Sequence, residues 1–163
     1  MKKSGTGCVL FLALALITGL SVLYWRDVGK RILTVNTSVN GTEIPICSVE
    51  REEPWIALAF QVKGNNENLQ KIEQVLEKNQ VKATFFVNGA WVEDYPENVR
   101  KMIETGHDLG NSGEKYREMT ELSQRACRNQ IRRLHDRIRK EFGYEMHLFF
   151  LLYGTYDNSV IQS

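Results

Sequence analysis

The sequence predicts an α/β fold preceded by one N-terminal transmembrane helix. From residue 54 onward, short apolar runs of strand length alternate with amphipathic helical patterns, and glycine or asparagine follows most of these runs. Alternation of this kind builds a parallel sheet covered by helices. Near the N-terminus, an uncharged stretch of 18 residues has the composition of a membrane-spanning segment.

The overall composition is that of a globular protein and argues against a nucleic-acid partner. The chain has 163 residues, of which 42% are hydrophobic and 25% charged, and its formal net charge is +1. Nucleic-acid-binding domains usually carry a basic excess, whereas disordered chains contain fewer apolar residues. One globular domain with an ordinary core is therefore expected.

The membrane prediction is based on residues 8–25, which contain no charged side chain. As a helix this segment is about 27 Å long, close to the thickness of the hydrocarbon core of a bilayer. Lys2 and Lys3 precede it, Arg26 follows it, and Trp25 falls where an interfacial aromatic residue is expected. A cleaved signal peptide is the alternative, although no A-x-A site follows the run. We expect an uncleaved signal anchor, with the remainder of the chain on the extracytoplasmic side.

The chain divides into four segments by these patterns. They are a short N-terminal tail at residues 1–7, the transmembrane anchor at 8–25, a juxtamembrane segment with a β-hairpin at 26–53, and the main domain at 54–163. The hairpin is predicted from two apolar runs, Ile32–Val35 and Glu43–Val49, on either side of Asn40-Gly41.

Three cysteines limit the disulfide chemistry of the chain. Cys8 belongs to the anchor, so Cys47 and Cys127 are the two that could pair outside it. The sequence leaves this single disulfide open, and so few cysteines exclude a disulfide-rich scaffold.

The main domain is predicted to contain four strands and three helices. The strands are Trp55–Phe60 and Ala83–Val87, both buried on two faces, a very short one at His107–Gly110, and His147–Tyr153. The helices are one with the core stripe Leu69, Ile72, Val75 and Leu76, one over Pro96–Thr105, and a long one that begins after Ser123 and ends at Gly143. Chemistry in parallel α/β folds lies at the C-terminal ends of the strands. Those ends are residues 61–64, Asn88-Gly89, residues 111–116 and Tyr153-Gly154.

The sequences around these strand ends resemble the polysaccharide deacetylases of the carbohydrate esterase type, the NodB-homology family. The resemblance covers about Ile44 to the C-terminus. It is densest in Val81–Val92, Tyr95–Val99, Gly106–Asn111 and Tyr153–Asn158, and it is closest to the membrane-anchored, sporulation-associated branch. The family implies a distorted (β/α) barrel that removes N-acetyl groups from cell-wall or other amino-sugar polymers. The family's later β/α elements and its late histidine are absent from this chain, so we expect an incomplete (β/α) barrel.

The resemblance also shows that the chemistry of the family is missing. Its members hold a divalent metal, usually zinc, through two histidines and an aspartate, and use a second aspartate as base and an arginine to orient it. Here Gln61 stands at the base, Ser112 and Tyr116 stand at the two histidines, and Phe150 replaces the arginine of R-P-P-Y-G. An amide cannot take a proton at neutral pH. We therefore expect no catalytic residue, no metal ligand and no cofactor, and Tyr153 as a substrate-binding residue that is retained.

Other residues are poor substitutes for the lost ones. His107 is expected to be structural, at the start of a strand, and His135 and His147 are not at C-terminal strand ends. Asp108 and Glu114 lie near the relevant loop and could bind a cation weakly, or could simply be solvated acids. A working deacetylase with a site rearranged around these two acids is the rival hypothesis, and a truncated remnant without function is a further one.

The leading hypothesis from the sequence is an inactive, deacetylase-like protein that binds cell-wall polysaccharide. Its expected location is the bacterial cell membrane, in a single pass with the domain extracytoplasmic. Trp91 could stack on a sugar or pack in the core. The long helix carries a locally basic surface, which is either a solvated face or a contact for anionic wall polymer or lipid headgroups.

Overall fold

The computed structural model describes residues 38–39, 41–46, 52–65 and 67–163. The predicted membrane segment, Cys8 and Cys47 lie outside these residues. Among the helices within them, none combines the length and the apolar character needed to cross a bilayer. Cys127 is an unbridged, buried thiol that donates a hydrogen bond to the Met119 carbonyl (3.3 Å), and burial raises its pKa.

The described chain contains five short strands and five helices. The strands are β1 (Ser38–Val39), β2 (Thr42–Glu43), β3 (Ala59–Gln61), β4 (Thr84–Val87) and β5 (Asp108–Asn111). The helices are α1 (Glu67–Lys78), α2 (Gly89–Asp94), α3 (Pro96–Glu104), α4 (Gln124–Phe142) and α5 (Asn158–Ile161), with a 3₁₀ turn at Met119–Glu121 before α4.

The centre of the fold is a parallel sheet in the order β3-β4-β5. Its register sets Phe60 beside Phe85, and Phe85 beside Leu109. Side chains alternate between the two faces of a strand, so these three share one face. The main core lies on this face, where the sheet residues pack with buried side chains from the helices, namely Leu69, Leu76, Trp91, Val99, Met102, Leu134 and Ile138.

Local signals explain where the helices begin and end. Asn88 caps α2, since its Oδ1 accepts a hydrogen bond from the Trp91 backbone N–H (2.9 Å). The Ser123 hydroxyl oxygen accepts one from the Ala126 N–H (3.3 Å), which confirms the predicted start of α4. Gly143 ends that helix with a φ of +67°, a conformation that glycine adopts without a steric penalty.

His107 is structural, as the sequence predicts. It is buried, its Nδ1 accepts a hydrogen bond from the Ala83 N–H (3.2 Å), and its ring meets the edge of Phe85 at 5.2 Å. Burial is the largest cause that lowers the pKa of this imidazole, and nearby Lys82 lowers it further. The neutral ring therefore joins the residue before β4 to the residue before β5.

The prediction that Trp55–Phe60 is a strand buried on both faces is wrong. Only Ala59 and Phe60 of that run lie in β3, while Trp55 is 69% and Ile56 87% exposed. In the described chain β3 is the edge of the sheet, so one side of this run has no strand beside it. Val75 in α1 is 60% exposed, although it was expected in the core stripe.

The prediction of a strand over His147–Tyr153 is also wrong in extent. Only Phe149 bridges to the sheet, in parallel with Asn111, whose backbone N–H and C=O bond to Leu148 and Phe150 at 2.8 and 2.9 Å. The chain then turns away, with the Gly154 N–H bonded to the Leu151 carbonyl.

The chain reverses near Asn40-Gly41 through the antiparallel pair β1 and β2. These strands are shorter than the predicted Ile32–Val35 and Glu43–Val49, most of which lies outside the described residues. The hydrogen bond between the Glu43 N–H and the Asn158 Oδ1 (2.9 Å) attaches this hairpin to the start of α5.

Candidate functional site

The end of β3 carries an amide where the resembled family has its base. Gln61 is partly buried, and its Nε2 has no hydrogen-bond partner in the described part of the chain. The next residue, Val62, is buried. The family's first motif reads T-F-D-D-G, and when Ala59 is set at its threonine, Gln61 and Val62 stand at its two aspartates. Sequence analysis had singled out only the first of these two losses. The Val62 N–H donates to the Phe86 carbonyl (3.0 Å), which continues the ladder past the end of β3.

The end of β5 is held rigidly by Asn111. Its side-chain Oδ1 accepts from the Gly113 N–H (2.7 Å), and its Nδ2 donates to the Ile131 carbonyl of α4 (2.8 Å). Ser112, which stands at a histidine position, is 1% exposed, and its Oγ makes no hydrogen bond to any described residue. The hydrogen bonds of Asn111 therefore fix the backbone of the loop after β5. The side chain at position 112 in this loop is a small neutral hydroxyl.

Tyr116, at the second histidine position, connects two strand ends. Its hydroxyl donates to the Val62 carbonyl (3.1 Å), which joins the loop after β5 to the end of β3. Burial is the main cause that raises the pKa of this phenol; the Asn88 amide opposes the shift and Tyr153 adds to it. Asn88 is fully buried, and its Nδ2 forms no hydrogen bond of standard geometry within the described residues, although the amide is near enough to affect the phenol. Tyr116 thus remains protonated at neutral pH.

The segment that follows the bridge at Phe149 contributes aromatic rings. Phe150, which replaces the arginine, has its ring centroid 5.2 Å from that of Phe86. Tyr153 is 56% exposed, and the Lys63 ammonium lies 6.0 Å from its ring centroid and 5.7 Å from that of Tyr116. Lys63 is therefore near two tyrosine rings that come from different strand ends, an arrangement favourable for a cation.

The two acids of the rival hypothesis are not brought together. Asp108 is the first residue of β5, at the N-terminal end of the strand, and accepts a hydrogen bond from the Tyr144 hydroxyl (2.9 Å). Glu114 lies in the loop beyond the opposite end and forms an ion pair with Arg137 of α4. Arg137 also donates to the Gly89 carbonyl (3.2 Å), so Glu114 and Arg137 form a brace between α4 and the loops.

The polysaccharide deacetylase family model matches residues 48–163. The chain belongs to the polysaccharide deacetylase family. It is 34% identical over 107 residues to the peptidoglycan-N-acetylmuramic acid deacetylase PdaC of Bacillus subtilis, a match that covers 66% of this chain and 23% of PdaC. It is 30% identical over 117 residues to the uncharacterized protein YlxY of the same organism, covering 72% of this chain and 37% of YlxY. The chain thus spans much less than the full length of these relatives.

Solved structures of the family have the same α/β fold. The structure of PdaC from Bacillus subtilis aligns with a TM-score of 0.63 and 32% identity, covering 70% of this chain and 56% of that chain. BA3943 of Bacillus anthracis, described as a CE4 family pseudoenzyme, aligns with a TM-score of 0.62 and 26% identity, covering 65% of this chain and 38% of its own. A BA3943 mutant with restored enzymatic activity also matches, at 25% identity and the same TM-score.

The residues at this site do not fit the metal that the deacetylase family implies. Zinc is bound by imidazole, thiolate or carboxylate groups. The matched positions supply the Gln61 amide, the Val62 isopropyl group, the Ser112 hydroxyl and the Tyr116 phenol. No group of three histidine, cysteine, aspartate or glutamate residues in the described ranges is placed to hold an ion.

The sequence predictions also covered two aromatic residues and two further histidines. Trp91 is 3% exposed and contacts Tyr95 with ring centroids 5.3 Å apart, so it packs in the core and is not available to a sugar. His135 lies on α4 and His147 before the bridge at Phe149, and neither joins the strand ends at the site. Tyr153, which sequence reasoning predicted at the site, is exposed and lies near Lys63.

Proposed function

We propose that this chain is a catalytically inactive member of the deacetylase family that binds cell-wall glycan without cleaving it. The observation that carries the proposal is the chemistry of the strand ends, which hold an amide, a hydroxyl, a phenol and a phenyl ring at Gln61, Ser112, Tyr116 and Phe150. None of these groups is a base near neutral pH. Hydrolysis of an amide needs a base for the attacking water and stabilisation of the oxyanion, and this set supplies neither a proton acceptor nor a cation ligand.

Glycan binding is supported by the exposed aromatic and polar groups at the same edge. The rings of Tyr116 and Tyr153 come from different loops, and Lys63 lies within 6.0 Å of both. Tyrosine rings can pack on the apolar face of a pyranose, while an ammonium group donates hydrogen bonds to ring hydroxyls or to an acetamido carbonyl. The edge therefore offers two flat apolar surfaces with a donor between them.

The relatives suggest which glycan to test. PdaC is named as a peptidoglycan deacetylase, and its matching segment has the same fold as this chain. We therefore propose that the ligand of this chain is an N-acetylated amino-sugar polymer of the bacterial cell wall. Residues 8–25 would anchor the protein in the cell membrane with the domain extracytoplasmic, next to such a polymer.

The experiment uses the full-length chain in a neutral detergent, with an N-acetylglucosamine oligomer as the probe. Binding is measured by calorimetry, and acetate release is measured with added zinc or cobalt. Tyr153→Ala should weaken binding about fivefold to tenfold, because it removes one stacking surface. The matched control is Tyr156→Ala, which removes an exposed tyrosine from the same loop region. Equal effects of the two changes, or metal-dependent acetate release, would contradict the proposal.

A further inference from the structure

A groove of about 690 Å³ runs along one flank of α4. Its wall includes Arg125, Arg128, Arg132 and Arg139, and the only lining acid side chain in the described residues is Asp136. The side chains thus give a local excess of three positive charges in a chain whose net charge is only +1. We call the groove lined by Arg125, Arg128, Arg132 and Arg139 the arginine groove.

The arginines form one straight stripe. Their positions along α4 differ by three, four and seven residues, which are the spacings of side chains that lie on one helix face. The stripe from Arg125 to Arg139 is about 21 Å long at the rise of an α-helix. Arg137 does not belong to it, since it contacts Glu114 and Gly89 on another flank.

These guanidinium groups are weakly engaged by the protein. The Arg132–Asp136 pair is 3.9 Å apart, and the Arg139–Glu145 pair 3.5 Å, and all four side chains are more than half exposed. Exposed pairs of this kind stabilise a protein by about 1 kcal/mol or less. In the part of the chain that the structure describes, Arg128 bonds to the neutral Gln124 amide (3.2 Å) and forms no ion pair. An incoming anion could therefore displace these contacts at little cost.

We propose that the arginine groove binds a linear phosphate polymer of the poly(glycerol phosphate) kind. Guanidinium forks match phosphate oxygens in pairs, and the rises of about 4.5, 6 and 10.5 Å between successive arginines along the helix can be spanned by successive groups of a flexible chain. A membrane surface fits less well, because Ile131 is the only apolar side chain among the described residues that line the groove. A nucleic acid fits less well too, because stacking on successive bases needs several rings, and among the described residues that line the groove His135 is the one aromatic side chain.

The test measures binding of a fluorescent poly(glycerol phosphate) oligomer to the full-length chain by anisotropy. The double change Arg128→Gln with Arg132→Gln should lower the affinity about tenfold, since it removes two of four phosphate contacts. The control is Arg133→Gln with Lys140→Gln, which removes the same charge from α4 outside the groove. Raising salt from 50 to 200 mM should weaken wild-type binding by a factor of some tens, by the slope that applies to single-stranded phosphate chains.

The outcomes separate the alternatives. Loss of affinity in the groove variant alone supports the proposal. Equal loss in both variants means a diffuse charge effect, and no binding by the wild type means a solvated helix face, so both results overturn it. Equal or tighter binding to anionic lipid vesicles or to single-stranded DNA overturns the choice of polymer. The proposal does not depend on the glycan site, because Tyr153→Ala should leave this binding unchanged.

Discussion

The brace formed by Arg137 and Glu114 should be a major source of stability for the loop that carries Ser112 and Tyr116. The Glu114 side chain is 13% exposed and that of Arg137 26% exposed, so the pair is largely removed from water. Removing one partner of a fully buried pair costs about 3–5 kcal/mol, because the other charge stays buried and unpaired. Partial solvation of Arg137 reduces this figure, and we expect Arg137→Ala to lower the free energy of unfolding by about 2 kcal/mol.

Urea unfolding of the full-length chain, followed by fluorescence, measures this loss. For a small protein, 2 kcal/mol shifts the midpoint by about 1–2 M urea. The control is Arg133→Ala, which removes an exposed arginine from the same helix and should change stability by about 0.5 kcal/mol or less. In the double variant with Glu114→Gln, the loss should be smaller than the sum of the single losses. If Arg137→Ala costs no more than Arg133→Ala, the brace is not stabilising.

Two further predictions concern single titratable groups. Tyr116→Phe removes the hydrogen bond to Val62 and should lower the free energy of unfolding by about 1 kcal/mol at pH 7. Because the pKa of Tyr116 is raised in the fold, the stability that its protonated phenol contributes is present below about pH 10 and is lost as the pH rises through the folded-state pKa. The free energies of unfolding of wild type and variant, measured in urea, should therefore converge at alkaline pH. A gap that persists at high pH would contradict this. The pKa of His107 is lowered by burial, so its contribution is present above about pH 6.5 and lost as the pH falls through the folded-state pKa. His107→Gln, which keeps an acceptor for the Ala83 N–H, should flatten the stability profile between pH 7 and pH 5, and an unchanged profile would rule out this assignment.

Features set by neighbouring residues in the chain could be predicted from the sequence. The Ser123 cap and the Gly143 terminus of α4 depend on local backbone chemistry, and both occur as expected. The same is true of the strand at Thr84–Val87, which is an apolar run with β-branched ends. The short helix α2 was missed, although Asn88 is a strong capping residue, because it is only six residues long.

Features set by distant parts of the chain could not be predicted. Whether Trp55 and Ile56 are buried depends on a strand beside β3, and none is present in the described residues. The hydrogen bond from Tyr116 to Val62 joins residues 54 apart, and the Arg137–Glu114 pair joins residues 23 apart. Motif comparison predicted a site at these strand ends, but which groups meet there could be seen only once the strand ends were placed together.

The most direct test of an emptied catalytic site is zinc binding by equilibrium dialysis, paired with acetate release from an N-acetylglucosamine oligomer. The unaltered chain should show no release at any zinc concentration. The variant with Gln61→Asp, Val62→Asp, Ser112→His and Tyr116→His serves as the positive control, and it should retain about one additional zinc per chain, since it returns imidazole and carboxylate ligands to the strand ends. Stoichiometric zinc on the unaltered chain, together with acetate release that a chelator abolishes, would contradict the account.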